Sequence, residues 1–250
     1  MTVHFAPWAL KLPDRLHLGA RAVHLWAWEV DRDVGDATLL TTLLSPEELD
    51  RASGLRQARD RSRFVAARGM MRNLLARYAG CPGESLRFVY GPHGKPALSG
   101  RGPKFSLSRR DALAILAISE SAAVGVDIER LAPAPDAAAI LQENASPAEI
   151  DAYARLPEEG RAKSFFCWWT RKEAVVKAIG GGLSIPLSSF DVPIEAELAD
   201  TPAGFVRRIG GVWTLRHLEP HADYCGALAL EGSLRTVKAW YLGRGWPGQP

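Results

Sequence analysis

The sequence predicts an α+β fold made of two similar halves packed face to face, and three observations carry that expectation. A helix-start signal occurs twice, a long amphipathic segment closed by glycine follows each copy, and a strand-like run precedes each copy. The order of the three is the same both times. That favours a duplicated half over a solenoid of short repeats.

The helix-start signal is Ser45-Pro46-Glu47-Glu48, and it returns 101 residues later as Ser146-Pro147-Ala148-Glu149. Serine supplies an N-cap, proline takes the first helical position, and an acid three residues after the serine closes a capping box. The first long segment, Asp60 to Tyr78, sets Phe64, Ala67, Met71, Leu74 and Tyr78 along one stripe. The same shift lands on Arg161 to Ile179. Gly80 and Gly181 are then the expected helix ends, since glycine accepts the left-handed C-terminal turn. Upstream, Leu25 to Val30 matches Val126 to Arg130; downstream, Leu86 to Tyr90 falls near Leu187 to Asp191. The halves are expected to span 1–115 and 116–250, joined near Arg110 to Ala123. They differ in one respect: the second strand carries Asp127 and Glu129 where the first carries Trp26 and Trp28. Charge on one side only of an interface between similar halves marks a candidate cleft.

The chain's 250 residues can bury a core, and 47% hydrophobic with 24% charged residues is ordinary for a globular protein. No apolar run approaches a membrane span, and Met1 to Pro13 lacks the basic-then-apolar order of a signal peptide. Cys81, Cys167 and Cys225 are far apart without CxxC spacing, which speaks against a disulfide framework or cysteine zinc site and suits a reducing cytoplasm. A net charge of +3 permits an anionic ligand but, without an aromatic-interleaved basic block, does not point to nucleic acid.

Four local patterns could carry chemistry. In Asp127-Ile128-Glu129 the two acids face one side of a strand, where they repel unless a cation intervenes. An arbitrary pair of this kind reads first as a solvent-facing strand end. The apolar lead-in Ala122 to Val126 instead describes a strand leaving a core at a cleft. In the segment Phe165 to Lys177, Glu173 and Lys177 stand one helical turn apart, with Trp169 a turn earlier. Alone they form an exposed stabilising pair; beside an aromatic flank they describe a partly enclosed face. A third carboxylate there could join Asp127 and Glu129 around a hard cation such as Mg²⁺. The six histidines show no metal-ligand spacing. The third pattern is the rigid turn Tyr90-Gly91-Pro92-His93-Gly94-Lys95-Pro96, from which Lys95 projects. The fourth is Phe105-Ser106-Leu107-Ser108-Arg109-Arg110, whose hydroxyls and guanidiniums read either as a phosphate cradle or as a basic hairpin tip.

In this order the four patterns resemble the Sfp-type 4′-phosphopantetheinyl transferases. That family shows a Gly-Lys-Pro turn, a Phe-Asn-x-Ser-His segment, a Gly-x-Asp-x-Glu strand and a Trp-x-x-Lys-Glu-x-x-x-Lys helix. Here they are Gly94-Lys95-Pro96, Phe105 to Arg109, Gly125 to Glu129, and Trp169-Thr170-Arg171-Lys172-Glu173 through Lys177. The resemblance reaches back to Arg63-Phe64-Val65-Ala66-Ala67-Arg68 and covers most of the chain from about His24 to about Leu230. It implies pseudo-twofold halves with the active site between them. It further implies Mg²⁺-dependent transfer of the 4′-phosphopantetheine group from coenzyme A to a serine of an acyl or peptidyl carrier protein, releasing 3′,5′-ADP. Asp127, Glu129 and Glu173 would bind the metal, and Lys177 would act beside the transferred phosphate. Arg63, Lys95, Pro96, Ser108 and Arg109 would help hold coenzyme A. Glu173, directly or through a water, would be the base for the serine. The enzyme is expected to be a cytoplasmic monomer serving secondary metabolite biosynthesis, independent of membranes and nucleic acid. Arg61, Arg68 and Arg72 are expected to steer an acidic carrier.

The sequence departs from the family where Ser106 replaces asparagine and Arg109 replaces histidine. The family histidine helps bind the nucleotide end of coenzyme A; arginine is longer and permanently charged. A divergent enzyme acting on another pyrophosphate or acceptor, or a non-catalytic carrier-binding homologue, are the alternatives this leaves open.

Overall fold

The computed structural model describes residues 2–8, 12–31, 37–195, 211–234 and 236–243. Parts of Met1–Pro13 and of both expected halves therefore fall outside the described residues. The elements run β1 (Thr2–His4), β2 (Ala6–Trp8), β3 (Ala22–Glu29), α1 (Ala37–Thr42), α2 (Pro46–Ser53) and α3 (Ala58–Ala79), then β4 (Phe88–Tyr90), β5 (Pro96–Leu98), β6 (Lys104–Arg110), β7 (Leu113–Ser119) and β8 (Val124–Arg130). They continue with α4 (Ala137–Asn144), α5 (Pro147–Ala154), α6 (Glu158–Ile179), β9 (Trp213–His221), β10 (Tyr224–Glu231) and β11 (Thr236–Leu242). This is an α+β protein.

Two sheets face each other, one in the order β2-β11-β3-β7-β6 and one in the order β1-β9-β10-β8. Alternate side chains explain the layering. Val23, Leu25, Ile115 and Ala117 of the first sheet pack against Val126, Ile128, Leu218 and Leu228 of the second. The opposite face of the first sheet offers Trp26, Trp28 and Leu116 to Met71, Leu74 and Leu75 of α3. The opposite face of the second offers Ala227 and Ala229 to Trp168, Ala174 and Val175 of α6. The four layers are thus α3, sheet, sheet, α6. Trp26 and Trp28 are completely buried, and truncating either to alanine would cost about 3–5 kcal/mol.

Both expected capping boxes are present. The Ser45 hydroxyl accepts from Glu48 N at 3.3 Å and Glu48 accepts from Ser45 N at 3.1 Å. Ser146 and Glu149 repeat this at 3.3 and 2.9 Å. Each capping glutamate also pairs with a buried cation of the long helix that follows: Glu48 with Arg72 at 2.6 Å, Glu149 with Lys172 at 2.7 Å. Each cation goes on to donate to backbone carbonyls, Arg72 to Gly83 and Leu86, Lys172 to Leu187 and Phe190. The correspondence therefore extends from helix signals to buried ion pairs.

Two expectations change. α3 ends at Gly80 with φ 68°, but α6 ends at Gly180 with φ 81°, not at Gly181, whose φ is −82°. The two helix ends are thus one residue out of the 101-residue register. Downstream, Phe88–Tyr90 is a strand whereas Leu187–Ser189 is a 3₁₀ turn following Pro186. There the Ser189 hydroxyl donates to Pro186 O at 2.6 Å, and Lys172 takes the Leu187 carbonyl that a strand partner would use. The link between the two sheets is the short turn between β7 and β8. Each sheet also borrows a strand from the far end of the chain, β1 lying parallel to β9 and β11 lying parallel to β3.

Candidate active site

The layering sets the site. Because Val126 and Ile128 fill the space between the sheets, Asp127 and Glu129 must turn to the α6 side of β8. α6 lies against that strand at Gly125: a Cβ there would stand 2.0 Å from Ala174 O and 2.4 Å from Ala178 N. Only glycine permits the approach. It brings Lys177 to Asp127.

Lys177 Nζ donates to Asp127 Oδ1 at 2.5 Å and to Ser108 Oγ at 3.2 Å, and the Ser108 hydroxyl donates to Asp127 Oδ1 at 2.8 Å. Ser106, two residues earlier on β6, accepts from Val126 N at 3.2 Å. Two serines of one sheet therefore grip the acidic strand of the other, which explains why hydroxyls alternate along β6. Arg110 Nε approaches Glu129 Oε2 at 2.9 Å, an ion pair not aligned as a hydrogen bond. Asp127 Oδ2 is buried and has no hydrogen-bond partner among the described residues. Burial raises the Glu129 carboxyl above its usual range, with the Asp127 charge adding to the shift and Arg110 opposing it. Burial likewise raises Glu173, again reinforced by Asp127. Both acids hold their charge at a cost that a nearby cation would relieve.

Two connected hollows receive these groups. A cavity of about 710 Å³ lies between α3, the β4–β5 turn, β6 and α6, and a cleft of about 350 Å³ holds Ser108, Asp127 and Glu129. Leu107, Arg109, Trp169, Glu173 and Lys177 line both. The larger volume is that of a cofactor-sized site, and the acids stand at one end of it.

The residues expected to hold coenzyme A are distributed unevenly. Pro96 and Arg109 line the large cavity and Ser108 the cleft. Arg109 is exposed, donating to Asp111 O at 3.3 Å. Lys95 also lines the cavity, but its ammonium donates to Val124 O at 3.1 Å and Ala178 O at 2.7 Å, tying the turn to β8 and the end of α6. Burial lowers its pKa to about 8. Arg63 is drawn away from the cavity by Asp31, bonding it through Nε and Nη2, both at 2.6 Å. Arg68 lines the cavity with Phe64 and Ala67 instead. The stripe Phe64, Ala67, Met71 held that signal: Arg68, one turn after Phe64, flanks it and Arg63 does not. His93, from the same turn as Lys95, also lines the cavity, as do Asn144 and Pro186, which no spacing in the sequence singled out. Arg72 cannot steer a partner, since it is 1% exposed and committed to Glu48.

Among the described residues no three acidic, histidine or cysteine groups are gathered closely enough to cage a metal ion, and no helix is long and apolar enough to cross a membrane. The chemistry of the donors nevertheless fits a hard cation. Three carboxylates face one cleft, two with raised pKa and the third with an unpartnered buried oxygen.

Fold and site together define an α+β protein with a lysine–carboxylate cleft opening on a cofactor-sized cavity. The profile of the 4′-phosphopantetheinyl transferase superfamily matches residues 123–229, the stretch that carries the acidic strand and α6. The chain is 33% identical over 240 residues to 4′-phosphopantetheinyl transferase HetI of Nostoc sp., covering 93% of this chain and 97% of that protein. It is 35% identical over 164 residues to the L-aminoadipate-semialdehyde dehydrogenase-phosphopantetheinyl transferase of Eremothecium gossypii, covering 63% and 59% of the two chains. To 4′-phosphopantetheinyl transferase Sfp of Bacillus subtilis it is 25% identical over 157 residues, 62% of this chain and 69% of that one. The chain belongs to the 4′-phosphopantetheinyl transferase superfamily.

Proposed function

We propose that this chain transfers the 4′-phosphopantetheine arm of coenzyme A to a serine of an acyl or peptidyl carrier protein, leaving 3′,5′-ADP. The observation that carries the reading is the Lys177–Asp127–Ser108 cluster at the end of a cofactor-sized cavity, with Glu173 and Lys177 facing both hollows.

In this reading Asp127, Glu129 and Glu173 hold Mg²⁺, which when bound supplies charge neutralisation at the pyrophosphate. Lys177 would act beside the reacting phosphate and steady charge developing toward the leaving group. Glu173, made more basic by burial and by Asp127, takes the proton from the carrier serine. Arg109 would exchange its bond to Asp111 O for a nucleotide phosphate, which a guanidinium can grip with two parallel hydrogen bonds. The apolar wall of Phe64, Phe105, Trp169 and Ile185 suits the pantetheine arm. We take the turn between β7 and β8 as the division between halves. We read the chain as a cytoplasmic monomer of secondary metabolism.

The test is intact-mass measurement of a panel of apo-carrier proteins incubated with coenzyme A, with and without Mg²⁺. A metal-dependent gain of one phosphopantetheine on one carrier class supports the reading. Binding of carriers without any mass gain would favour a non-catalytic homologue.

A further inference from the structure

Strand alternation puts Ser106, Ser108 and Arg110 on one face of β6, and each of the three meets the acidic strand β8. Ser106 Oγ accepts from Val126 N at 3.2 Å, Ser108 Oγ donates to Asp127 Oδ1 at 2.8 Å, and Arg110 Nε stands 2.9 Å from Glu129 Oε2. The first two contacts are hydrogen bonds between buried groups. The third is an ion pair at the exposed end of the cleft, where β6 turns back through Asp111, a non-glycine residue with φ 49°. The register of β6 therefore aims Arg110 at Glu129.

Each acid of β8 thus carries an internal cation, and the two cations are held differently. Lys177 is bonded to both Asp127 and Ser108, and its side chain is 33% exposed. Arg110 approaches Glu129 without hydrogen-bond alignment, and its side chain is 54% exposed. An ion pair that open to water is a weak holdfast. The Glu129 side chain is only 14% exposed, so when the pair opens it is Arg110 that leaves. Of the two internal cations, Arg110 is the one that yields more easily to a cation entering among the carboxylates.

We propose that Arg110 is a positioning residue that exchanges Glu129 for a phosphate of the bound substrate, and so makes the metal and coenzyme A bind cooperatively. In the free chain Arg110 occupies Glu129 Oε2. It lowers the affinity of the cleft for a divalent cation by holding one donor oxygen and by adding like charge beside the site. With coenzyme A present, Arg110 turns to a pyrophosphate oxygen, which a guanidinium holds by charge-assisted hydrogen bonds. Glu129 is then released to the metal, and each ligand raises the affinity for the other by the same factor. The inference rests on the reading of Asp127, Glu129 and Glu173 as metal donors.

The test uses the full chain without a carrier protein, so that no transfer occurs, and Mn²⁺ as the metal probe, its free concentration read by electron paramagnetic resonance. Without coenzyme A, Arg110→Gln should bind Mn²⁺ about three- to tenfold tighter than the parent, the scale of removing one like charge near the surface. The gain should shrink as ionic strength rises, and Arg110→Lys should keep the parent's lower affinity. Coenzyme A should tighten Mn²⁺ binding by a larger factor in the parent than in Arg110→Gln. Equal or weaker Mn²⁺ binding by Arg110→Gln without coenzyme A overturns the counter-ion role, and a coenzyme A effect as large in that variant as in the parent overturns the exchange. The metal reading fails separately: Mn²⁺ binding that Asp127→Asn leaves unchanged, or no binding by the parent with or without coenzyme A, overturns the carboxylate assignment and this proposal with it.

Discussion

Lys177→Met isolates the group on which the acidic cluster depends. In the parent, Lys177 donates to Asp127 Oδ1 at 2.5 Å, and Asp127 is 5% exposed. Among the described residues, removing the ammonium leaves a buried carboxylate with one hydroxyl donor, Ser108, and no ion-pair partner. Stripping one partner from a fully buried pair costs about 3–5 kcal/mol. The Lys177 side chain is 33% exposed, so water already screens part of the interaction and about 2 kcal/mol is the better figure. In a chain of this size that is a fall of roughly 4–8 °C in Tm. The assay is thermal unfolding without metal, run on Lys177→Met, Asp127→Asn and the double variant. Removing the charge from Asp127 removes the reason for the penalty, so the double variant should recover most of the lost stability. The coupling between the two positions should exceed the roughly 0.5 kcal/mol expected of independent sites. An unchanged Tm in Lys177→Met, or simple additivity in the double variant, would refute the pairing.

Three further outcomes follow from the same geometry. Arg109→Ala should weaken coenzyme A binding by about 1.5–3 kcal/mol, and Arg109→His should recover part of this at mildly acidic pH; calorimetry with coenzyme A and its 3′-dephosphorylated form checks both, and equal affinity for parent and Arg109→Ala would place Arg109 in solvent. Glu173 has a folded pKa above its unfolded value of 4.5, so between those limits the native state binds more protons and this group contributes stability as pH falls; Glu173→Gln should flatten that part of the metal-free Tm-against-pH curve, and an unaltered curve would contradict the burial argument. Gly125→Ala places a Cβ against the α6 backbone and should cost about 3 kcal/mol or unfold the chain, as urea titration would report; parent-like stability would show that α6 can retreat.

What was legible in the sequence was local. A capping box needs only a serine and an acid three residues apart, so Ser45 and Ser146 declared α2 and α5 directly. Alternation along β8 likewise put Asp127 and Glu129 on one face before any fold was known. The unread features depend on distant partners. Nothing near Arg63 announces Asp31, which takes its guanidinium from the cavity. Nothing near Arg72 shows that Glu48 buries it. Lys95 reads as a free loop cation until β8 and α6 present it with two carbonyls. The strands exchanged between chain ends, β1 with β9 and β11 with β3, follow from long-range pairing that no local period encodes.

The central claim is that the carboxylates of β8 and α6 serve Mg²⁺-dependent transfer from coenzyme A, and the most direct measurement is turnover of Asp127→Ala on a responsive apo-carrier at saturating coenzyme A and Mg²⁺. Folding should survive, because Lys177 is exposed enough to turn to solvent once its partner is gone. The predicted result is a folded protein whose transfer rate falls by at least about 10²–10³, the loss typical of a key electrostatic stabiliser. Near-parent turnover in that variant would contradict the account.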